Sequence, residues 1–234
     1  MQSAVTGFQG QITLDGPSGT GKSSVARQVA QQLGAHYLDT GAMYRAATVA
    51  VLDAGVALDD KVAVARAVSE AAIEVGTDAR REKVTVDGVD VRKRIRGAEV
   101  TRAVSPVSAV PAVRRLLVAR QRELVAVAGA VVVEGRDIGT VVLPDATLKI
   151  YLTAAPEVRA QRRAAQLGVT DPDKIAALAA DLRRRDEHDS RRADSPLRPA
   201  EDAVVVDSTH LAQEETVAKV VALALEAVGT GQSA

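Results

Sequence analysis

The feature that most constrains the fold is a glycine-rich octapeptide, GPSGTGKS, at residues 16–23. It fits the pattern G-x-x-x-x-G-K-[ST], in which a loop wraps a phosphate group with backbone N–H groups. The apolar segment QITLD precedes it at 11–15, and Val25, Val29 and Leu33 follow it at helical spacing. A strand that leads into such a loop and then a helix is the context that supports this motif. The octapeptide therefore predicts a nucleoside triphosphate site on an α/β fold.

The loop positions have distinct physical roles. Small residues allow the backbone to curl around an anion, and Lys22 can reach the β- and γ-phosphates. A hydroxyl after the lysine can bind Mg²⁺, and because both Ser23 and Ser24 carry one, the metal ligand stays open between them, with Ser23 favoured. We expect the phosphates to contact the following residues: Gly16, Pro17, Ser18, Gly19, Thr20, Gly21, Lys22, Ser23 and Ser24.

Strand and helix patterns alternate along the rest of the chain. A β-branched run at 130–135 predicts a strand that is buried on both faces, and 147–152 is another such strand. The last strand is predicted at 203–207, and strands separated by helices predict a parallel sheet. Apolar spacing predicts helices at 42–54, 60–71, 98–128, 156–167, 172–188 and 211–228. Two prolines, Pro106 and Pro111, are expected to interrupt the segment 98–128.

The alternation predicts an α/β P-loop core with a parallel sheet flanked by helices. Short alternating segments broken by Gly88 predict a small β insertion within it. The predicted organisation is core at 10–71, β insertion at 72–97, core at 98–158, helical Arg-rich lid region at 159–198, core at 199–228, and flexible termini at 1–9 and 229–234.

Composition argues against several classes of protein. Lys plus Arg and Asp plus Glu each number 30, and a net charge of zero disfavours general binding to nucleic acids or membrane surfaces. The absence of Cys excludes disulfides, cysteine zinc sites and thiol catalysis. No apolar run is long enough to cross a bilayer, and residues 1–9 lack the features of a signal peptide. We therefore expect a cytoplasmic protein without nucleic-acid or membrane partners. We also expect a monomer, although composition does not determine the oligomeric state.

Arginine is the unusual component, with 23 Arg against 7 Lys. Its planar guanidinium suits two-pronged recognition of phosphate, although GC-rich codon usage also enriches it. Arg159, Arg162 and Arg163 share a helix face, and Arg185, Asp189 and Arg192 share one if their helix persists. These residues are candidates for closing over a transferring phosphoryl group, and a solvated charged helix is the alternative.

The phosphate loop by itself leaves the reaction open. A regulatory GTPase needs a guanine-reading N-K-x-D segment, and the chain contains no Asn. A small kinase needs an acceptor pocket and cations around the transferred group, which the arginines can supply. A nucleotide-binding regulatory module without turnover is the alternative from another class.

Further motifs identify the family. They are LDTGAMYR at 38–45, IRGAEV at 95–100, SPVSAVPAVR at 105–114, EGRDIGTVVLPDA at 134–146 and RD-x-x-D-x-x-R at 185–192. In this order, and with the phosphate loop, the chain resembles bacterial cytidylate kinases over residues 11–227. The resemblance implies Mg²⁺-dependent transfer of the γ-phosphoryl group of ATP to CMP or dCMP. A kinase for UMP or for a non-nucleotide alcohol is the nearest alternative.

The resemblance also implies residue roles. Ser105, Arg114 and Asp137 match the residues that read cytosine, whose amine can donate to a carboxylate while its ring accepts from Arg and a hydroxyl. Uracil would leave these buried groups unpaired. The residues matched to CMP binding are Thr40, Tyr44, Arg45, Arg96, Ser105, Arg114, Arg136, Asp137, Arg185, Asp189 and Arg192.

Within that set, Arg136 and Arg192 match phosphate clamps, and Arg185 and Asp189 match residues near the ribose. Arg162 matches a lid arginine that faces the ATP phosphates, and residues 207–209 lie where adenine is contacted. The expected catalytic residues are Lys22, Arg136, Arg162, Arg185 and Arg192. Asp15 is interpreted as structural or close to the metal.

Overall fold

The computed structural model describes residues 8–192 and 195–231. By its internal contacts the chain divides into two units, residues 1–37 with 129–234, and residues 38–128. The second unit contains the predicted insertion at 72–97 together with the helices on either side of it in sequence. Of the ends predicted to be flexible, residues 1–7 and 232–234 lie outside the described residues.

Strands and helices alternate as expected. The strands are β1 (Gly10–Asp15), β2 (His36–Asp39), β3 (Ile73–Val75), β4 (Val84–Val86), β5 (Val89–Asp90), β6 (Ala130–Glu134), β7 (Leu148–Thr153) and β8 (Val204–Asp207). The helices are α1 (Lys22–Leu33), α2 (Thr40–Asp53), α3 (Lys61–Glu70), α4 (Ala98–Ser108), α5 (Pro111–Ala126), α6 (Pro156–Leu167), α7 (Pro172–Ser190) and α8 (Gln213–Gly231). Arg94–Arg96 form a 3₁₀ turn and Ile138–Val142 a π-helical turn.

A five-stranded sheet with the order β2-β6-β1-β7-β8 forms the centre of the first unit. Strand β1 pairs in parallel with β6 and β7, so that Ile12 lies opposite Val132 on one side and Leu148 on the other. Strand β7 pairs in parallel with β8. Ile12 and Val132 are fully buried, because helices cover the sheet, as the uninterrupted apolar runs predicted. The predicted α/β fold with a parallel sheet is confirmed.

Helix α1 carries the phosphate loop at its start and packs on the sheet along one face. Val25, Val29 and Leu33, the residues whose spacing predicted the helix, are all buried. The helix ends at Gly34, whose φ of 65° is the left-handed conformation that terminates many helices. Helix α8 packs beside α1. No helix within the described ranges combines the length and apolar character needed to cross a bilayer.

The second unit contains the predicted β insertion as a three-stranded antiparallel sheet, β3-β4-β5. Its apolar face packs on α2, where Ala42, Ala46 and Val49 meet Val84 and Val86 of β4 in one buried cluster. The alanines let the helix and the strand approach closely, so a sheet of two- and three-residue strands can still bury its inner face.

Helix α4 continues through Pro106 and ends at Ser108, so the interruption predicted near Pro106 and Pro111 lies between these two prolines. Pro106 lies in the last turn of α4, where its missing N–H removes a single hydrogen bond while Val104 and Val107 on the same helix stay buried. Pro111 bounds the break on its other side, because it opens α5, at the position where a proline ring favours the helix.

We predict that Gly16→Ala destabilises the first unit strongly. Gly16 has a φ of 145°, and a Cβ there would lie 2.1 Å from the carbonyl oxygen of Leu152. Clash and backbone strain together are expected to lower the free energy of unfolding by about 3 kcal/mol or more. The matched control is Gly55→Ala, which has a φ of 63° but open space around the new Cβ and should cost about 1 kcal/mol. Urea denaturation compares the two, and equal losses would contradict the prediction.

Candidate active site

The loop between β1 and α1 presents a cluster of unpaired backbone donors. Gly21 directly precedes the helix and has a φ of 87°, a left-handed conformation that glycine adopts readily. Among the described residues, the N–H groups of Gly21, Lys22, Ser23 and Ser24 have no acceptor. The partial positive charge of a helix N-terminus adds to these donors. The arrangement is that of an anion-binding cradle.

Lys22 is held inside this cradle. Its side chain is buried, and its Nζ donates to the carbonyl oxygen of Pro17 at 2.7 Å. Burial, together with the nearby charge of Arg136, lowers the pKa of Lys22 to about 7, although the carboxylates of Glu134 and Asp15 act in the opposite direction. An incoming phosphate would favour the charged ammonium form.

Three of the residues predicted to bind phosphate or ribose meet beside Ser18. The guanidinium of Arg136 donates to the Ser18 hydroxyl at 2.6 Å and to Asp189 at 3.1 Å. Asp189, which is almost fully buried, also pairs with Arg192 at 2.5 Å. One carboxylate therefore holds two arginines next to the phosphate loop. Arg185 lies one turn earlier on α7 than Asp189 and is partly buried.

Arg162 joins the phosphate loop to the segment after β8. It donates to the hydroxyl of Ser208 at 2.9 Å, to the carbonyl oxygen of Ser208 at 2.7 Å, and to that of Thr20 at 3.3 Å. In the same segment Thr209 accepts from the N–H of Ala155 at 2.9 Å. The residues predicted to contact adenine are thus tied by hydrogen bonds to the loop that is predicted to hold the phosphates.

Glu134, at the end of β6, is a site residue that sequence reasoning missed. Its carboxylate accepts from the Ser23 hydroxyl at 3.0 Å and from the hydroxyl of Tyr37. The side chain is buried, so an ionised carboxylate there needs these donors or a cation. Serine and carboxylate oxygens are the ligands that Mg²⁺ prefers. The available signal was an acidic residue at the end of an otherwise apolar strand.

Asp15 has a structural task. Its two carboxylate oxygens accept from the backbone N–H groups of Ile138 at 2.9 Å and Gly139 at 2.8 Å. Burial raises the pKa of Asp15 to about 6, although both N–H groups and Lys22 lower it. These bonds fix the π-helical turn that begins directly after Asp137, which is itself buried. Of the two interpretations from sequence, the contacts favour the structural one.

In the second unit, α2 carries three of the residues assigned to the acceptor. Thr40 opens the helix and is buried. Arg45 donates to the carbonyl oxygen of Ile95 at 2.9 Å and to the hydroxyl of Thr101 at 3.1 Å. The guanidinium of Arg114, on α5, lies over the ring of Tyr44 at 5.4 Å, a cation–π contact that holds both side chains.

Arg96 has an acidic partner that the sequence did not indicate. Its two terminal nitrogens approach Glu82 at 2.6 and 3.3 Å, and more than half of the Arg96 side chain is exposed. Asp39 caps α2 nearby, and burial raises its pKa, although the N–H of Ala42 and the charges of Arg45 and Arg96 lower it. The carboxylate of Glu82 thus already pairs with Arg96, where the phosphate of the acceptor is expected to bind.

The remaining cytosine-reading candidates fall in different units. Ser105 lies in α4, where its carbonyl oxygen accepts from the hydroxyl of Ser108 at 3.0 Å. Ser105 and Arg114 belong to the second unit, and Asp137 belongs to the first. No group of three or more His, Asp or Glu side chains that could hold a metal occurs in residues 8–192 and 195–231.

The comparisons with known proteins agree with these motifs. The family model described as cytidylate kinase matches residues 12–226. The cytidylate kinase of Rhodococcus opacus is 57% identical over 94% of this chain and 97% of its own length. That of Nocardia farcinica is 56% identical over 95% of this chain and 96% of its own length.

A solved structure, a gluconokinase from Sinorhizobium meliloti, matches with a TM-score of 0.51 at 18% identity, covering 97% of this chain and 98% of its own. At this identity the match supports the fold alone. The family model and the relatives cover nearly the whole chain, and they confirm the resemblance on which the site residues were assigned. This chain belongs to the cytidylate kinase family.

Proposed function

We propose that this protein transfers the γ-phosphoryl group of ATP to CMP or dCMP, giving ADP and CDP or dCDP, in pyrimidine nucleotide metabolism. The observation that carries the proposal is the phosphate loop with Lys22 inside it and Arg136 beside it, in a chain of this family. The relatives named cytidylate kinase extend over the same residues.

The backbone N–H groups of the phosphate loop would bind the phosphates of ATP, and the charged lysine and arginine side chains would stabilise the phosphoryl group during transfer. The charge of that group spreads over its equatorial oxygens, so catalysis consists mainly of positioning and electrostatic stabilisation. Lys22 and Arg136 supply charge at the loop, and Asp189 holds Arg136 and Arg192 in place. Arg162 and Arg185 complete the proposed catalytic set.

No side chain is needed to remove a proton from the acceptor. A phosphate monoester is already ionised near neutral pH, and the transition state is loose. Asp15 is unsuited to such a role, because Ile138 and Gly139 already donate to its two oxygens.

On the acceptor side, we propose that Thr40, Tyr44, Arg45 and Arg96 bind the monophosphate. Contacts that already hold two of these side chains support the proposal. The guanidinium of Arg45 donates to a backbone carbonyl and a hydroxyl, and the ring of Tyr44 lies against the guanidinium of Arg114. Preorganised donors lose little side-chain entropy when a ligand arrives.

Recognition of the base is assigned to Ser105, Arg114 and Asp137. A carboxylate accepts from the exocyclic amine of cytosine but would face a carbonyl in uracil. A buried polar group left unpaired gives strong discrimination between such substrates.

Magnesium is the proposed cofactor. The Ser23 hydroxyl and the Glu134 carboxylate, 3.0 Å apart, form a donor set that suits this ion, whose remaining ligands would be phosphate oxygens and water. When bound, Mg²⁺ neutralises charge that develops on the phosphates. A cytoplasmic location and a monomeric state remain predictions from the sequence.

The test of the function is a coupled assay of ADP release with CMP, dCMP, UMP and AMP. CMP or dCMP should give the fastest ADP release. A rate with UMP that is tenfold higher than with CMP would contradict the assignment. A complete absence of CMP-dependent ADP would favour a regulatory nucleotide-binding module. On the same panel, Asp137→Ala should lose the preference for cytosine as well as rate, whereas Asp145→Ala, at an exposed position in the same segment, should keep both.

The two serines after Lys22 provide a matched pair for the metal. Ser23→Ala removes the hydroxyl that contacts Glu134 and should raise the Mg²⁺ concentration needed for half-maximal rate by roughly tenfold. Ser24→Ala should leave it unchanged. Magnesium titrations at saturating ATP and CMP compare the variants, and the reverse order would move the ligand to Ser24.

ATP affinity should depend on the protonation of Lys22. Its pKa of about 7 in the free protein means that the ammonium loses its proton at higher pH, whereas bound phosphates favour the charged form. Between pH 7.5 and 9.5, where the phosphates are already ionised, the dissociation constant should rise by up to about tenfold per pH unit. Calorimetry in buffers of different ionisation enthalpy should show proton uptake, and Lys22→Arg should abolish it. A flat pH profile in the unsubstituted protein would contradict the prediction.

A further inference from the structure

Ser18 is held on both sides of its backbone by one ion pair. Its N–H donates to a carboxylate oxygen of Asp186 at 3.1 Å, and its carbonyl oxygen accepts from Arg159 at 3.1 Å. Arg159 also donates to the second carboxylate oxygen of Asp186. The peptide groups of Ser18 and these two side chains therefore close a ring of hydrogen bonds.

The ion pair is largely withdrawn from solvent. The side chains of Arg159 and Asp186 are 9% and 16% exposed, respectively. Arg159 makes a further bond to the carbonyl oxygen of Ala154 at 3.1 Å, directly after β7. Charges that are mostly buried, paired and held by further hydrogen bonds in this way have little freedom to move. The pair thus fixes the third residue of the phosphate loop to α6 and α7.

The face of α7 that carries Asp186 also holds Arg136 in place, through Asp189. Asp186 and Asp189 are three residues apart on the helix and lie on one face. Asp186 accepts from the Ser18 backbone, and Asp189 accepts from Arg136, which in turn donates to the Ser18 hydroxyl. Both ends of the contact between Arg136 and Ser18 are therefore set by α7.

Asp186 is not arranged to bind substrate. Its two oxygens already accept from Ser18 and Arg159. A free carboxylate beside the phosphates of ATP would repel them, whereas one neutralised by a buried arginine does not. Its effect on the reaction must pass through the groups that it holds.

We infer that Asp186 and Arg159 are positioning residues for phosphoryl transfer, which fix the Ser18 peptide so that its hydroxyl aims the guanidinium of Arg136. This inference rests on the proposed kinase function. Displacing a catalytic group by about 1 Å can cost roughly 10²-fold in rate. Loss of the pair should therefore lower kcat more than it changes the KM for CMP.

The test compares Asp186→Asn, which keeps an acceptor for the Ser18 N–H but loses the charge, with Asp186→Ala, which loses both. We expect kcat to fall by about tenfold in the first and about 10²-fold in the second, with the KM for CMP changed less than about threefold. Asparagine should rescue part of the rate because it keeps the acceptor for the Ser18 N–H, and the unequal effects on kcat and KM separate aiming from bulk stability.

Asp202→Asn is the matched stability control. It removes an ion pair with Lys149, at 2.8 Å, which has no contact with the loop. It should leave kcat unchanged even if its Tm falls. A similar loss of kcat in this variant would overturn the inference.

A double-mutant cycle with Ser18→Ala tests the route. If Asp186 acts through the Ser18 hydroxyl and Arg136, Asp186→Asn should lower kcat by less than about threefold in the Ser18→Ala background. If the fold-losses in kcat of the two single variants instead multiply in the double variant, the inference is overturned. Wild-type CDP formation is measured first: its absence would refute the proposed function and this inference with it, whereas an active wild type with unaffected Asp186 variants would refute the inference alone.

Discussion

Cations gathered around an anion site must be kept apart and oriented before the anion arrives, and much of this structure serves that constraint. Lys22 and Arg136 stand beside the same short loop, and the charge of Arg136 lowers the pKa of Lys22. Buried carboxylates offset this repulsion. Asp189 is shared by Arg136 and Arg192, and Asp186 pairs with Arg159. The loop is thus prepared for phosphate without an exposed cluster of unbalanced charge.

The zero net charge of the chain includes local pairs of opposite charge around the candidate site. Zero net charge disfavours a general polyanion binder, but it hides pairs in which an arginine near the expected substrate has its own acid. Arg96 with Glu82 in the second unit repeats the pattern of Arg136 with Asp189 in the first. Each guanidinium is held by charge and geometry together, which limits the entropy it loses on binding.

The parts of the fold that depend on local pattern were predictable. The glycine loop, its strand and its helix follow from residues close in sequence, and so does the start of α5 at Pro111. Strand β2 was missed because four residues between two helices leave no room for an alternating pattern. The π-helical turn after Asp137 depends on Asp15, more than 120 residues away, and local sequence carries no sign of that bond. Glu82 was missed because in the sequence it resembles an ordinary charged residue. Glu134 and Asp186 lie inside the motifs at 134–146 and 185–192, but their partners, Ser23 and Ser18, are more than 100 residues away, so the local sequence did not indicate their roles.

The pairing of Arg96 with Glu82 has a consequence for which anions can compete with a nucleotide. If Arg96 receives the acceptor phosphate, the incoming group must displace a resident carboxylate that carries one negative charge. A chloride or acetate ion brings no more charge than it replaces, and so gains little from the exchange. A phosphate monoester near neutral pH brings roughly 1.5 to 2 charges and three acceptor oxygens. Glu82 would therefore disfavour the binding of singly charged anions, which are abundant in any cell, at Arg96. A doubly charged phosphate ester could still displace the Glu82 carboxylate.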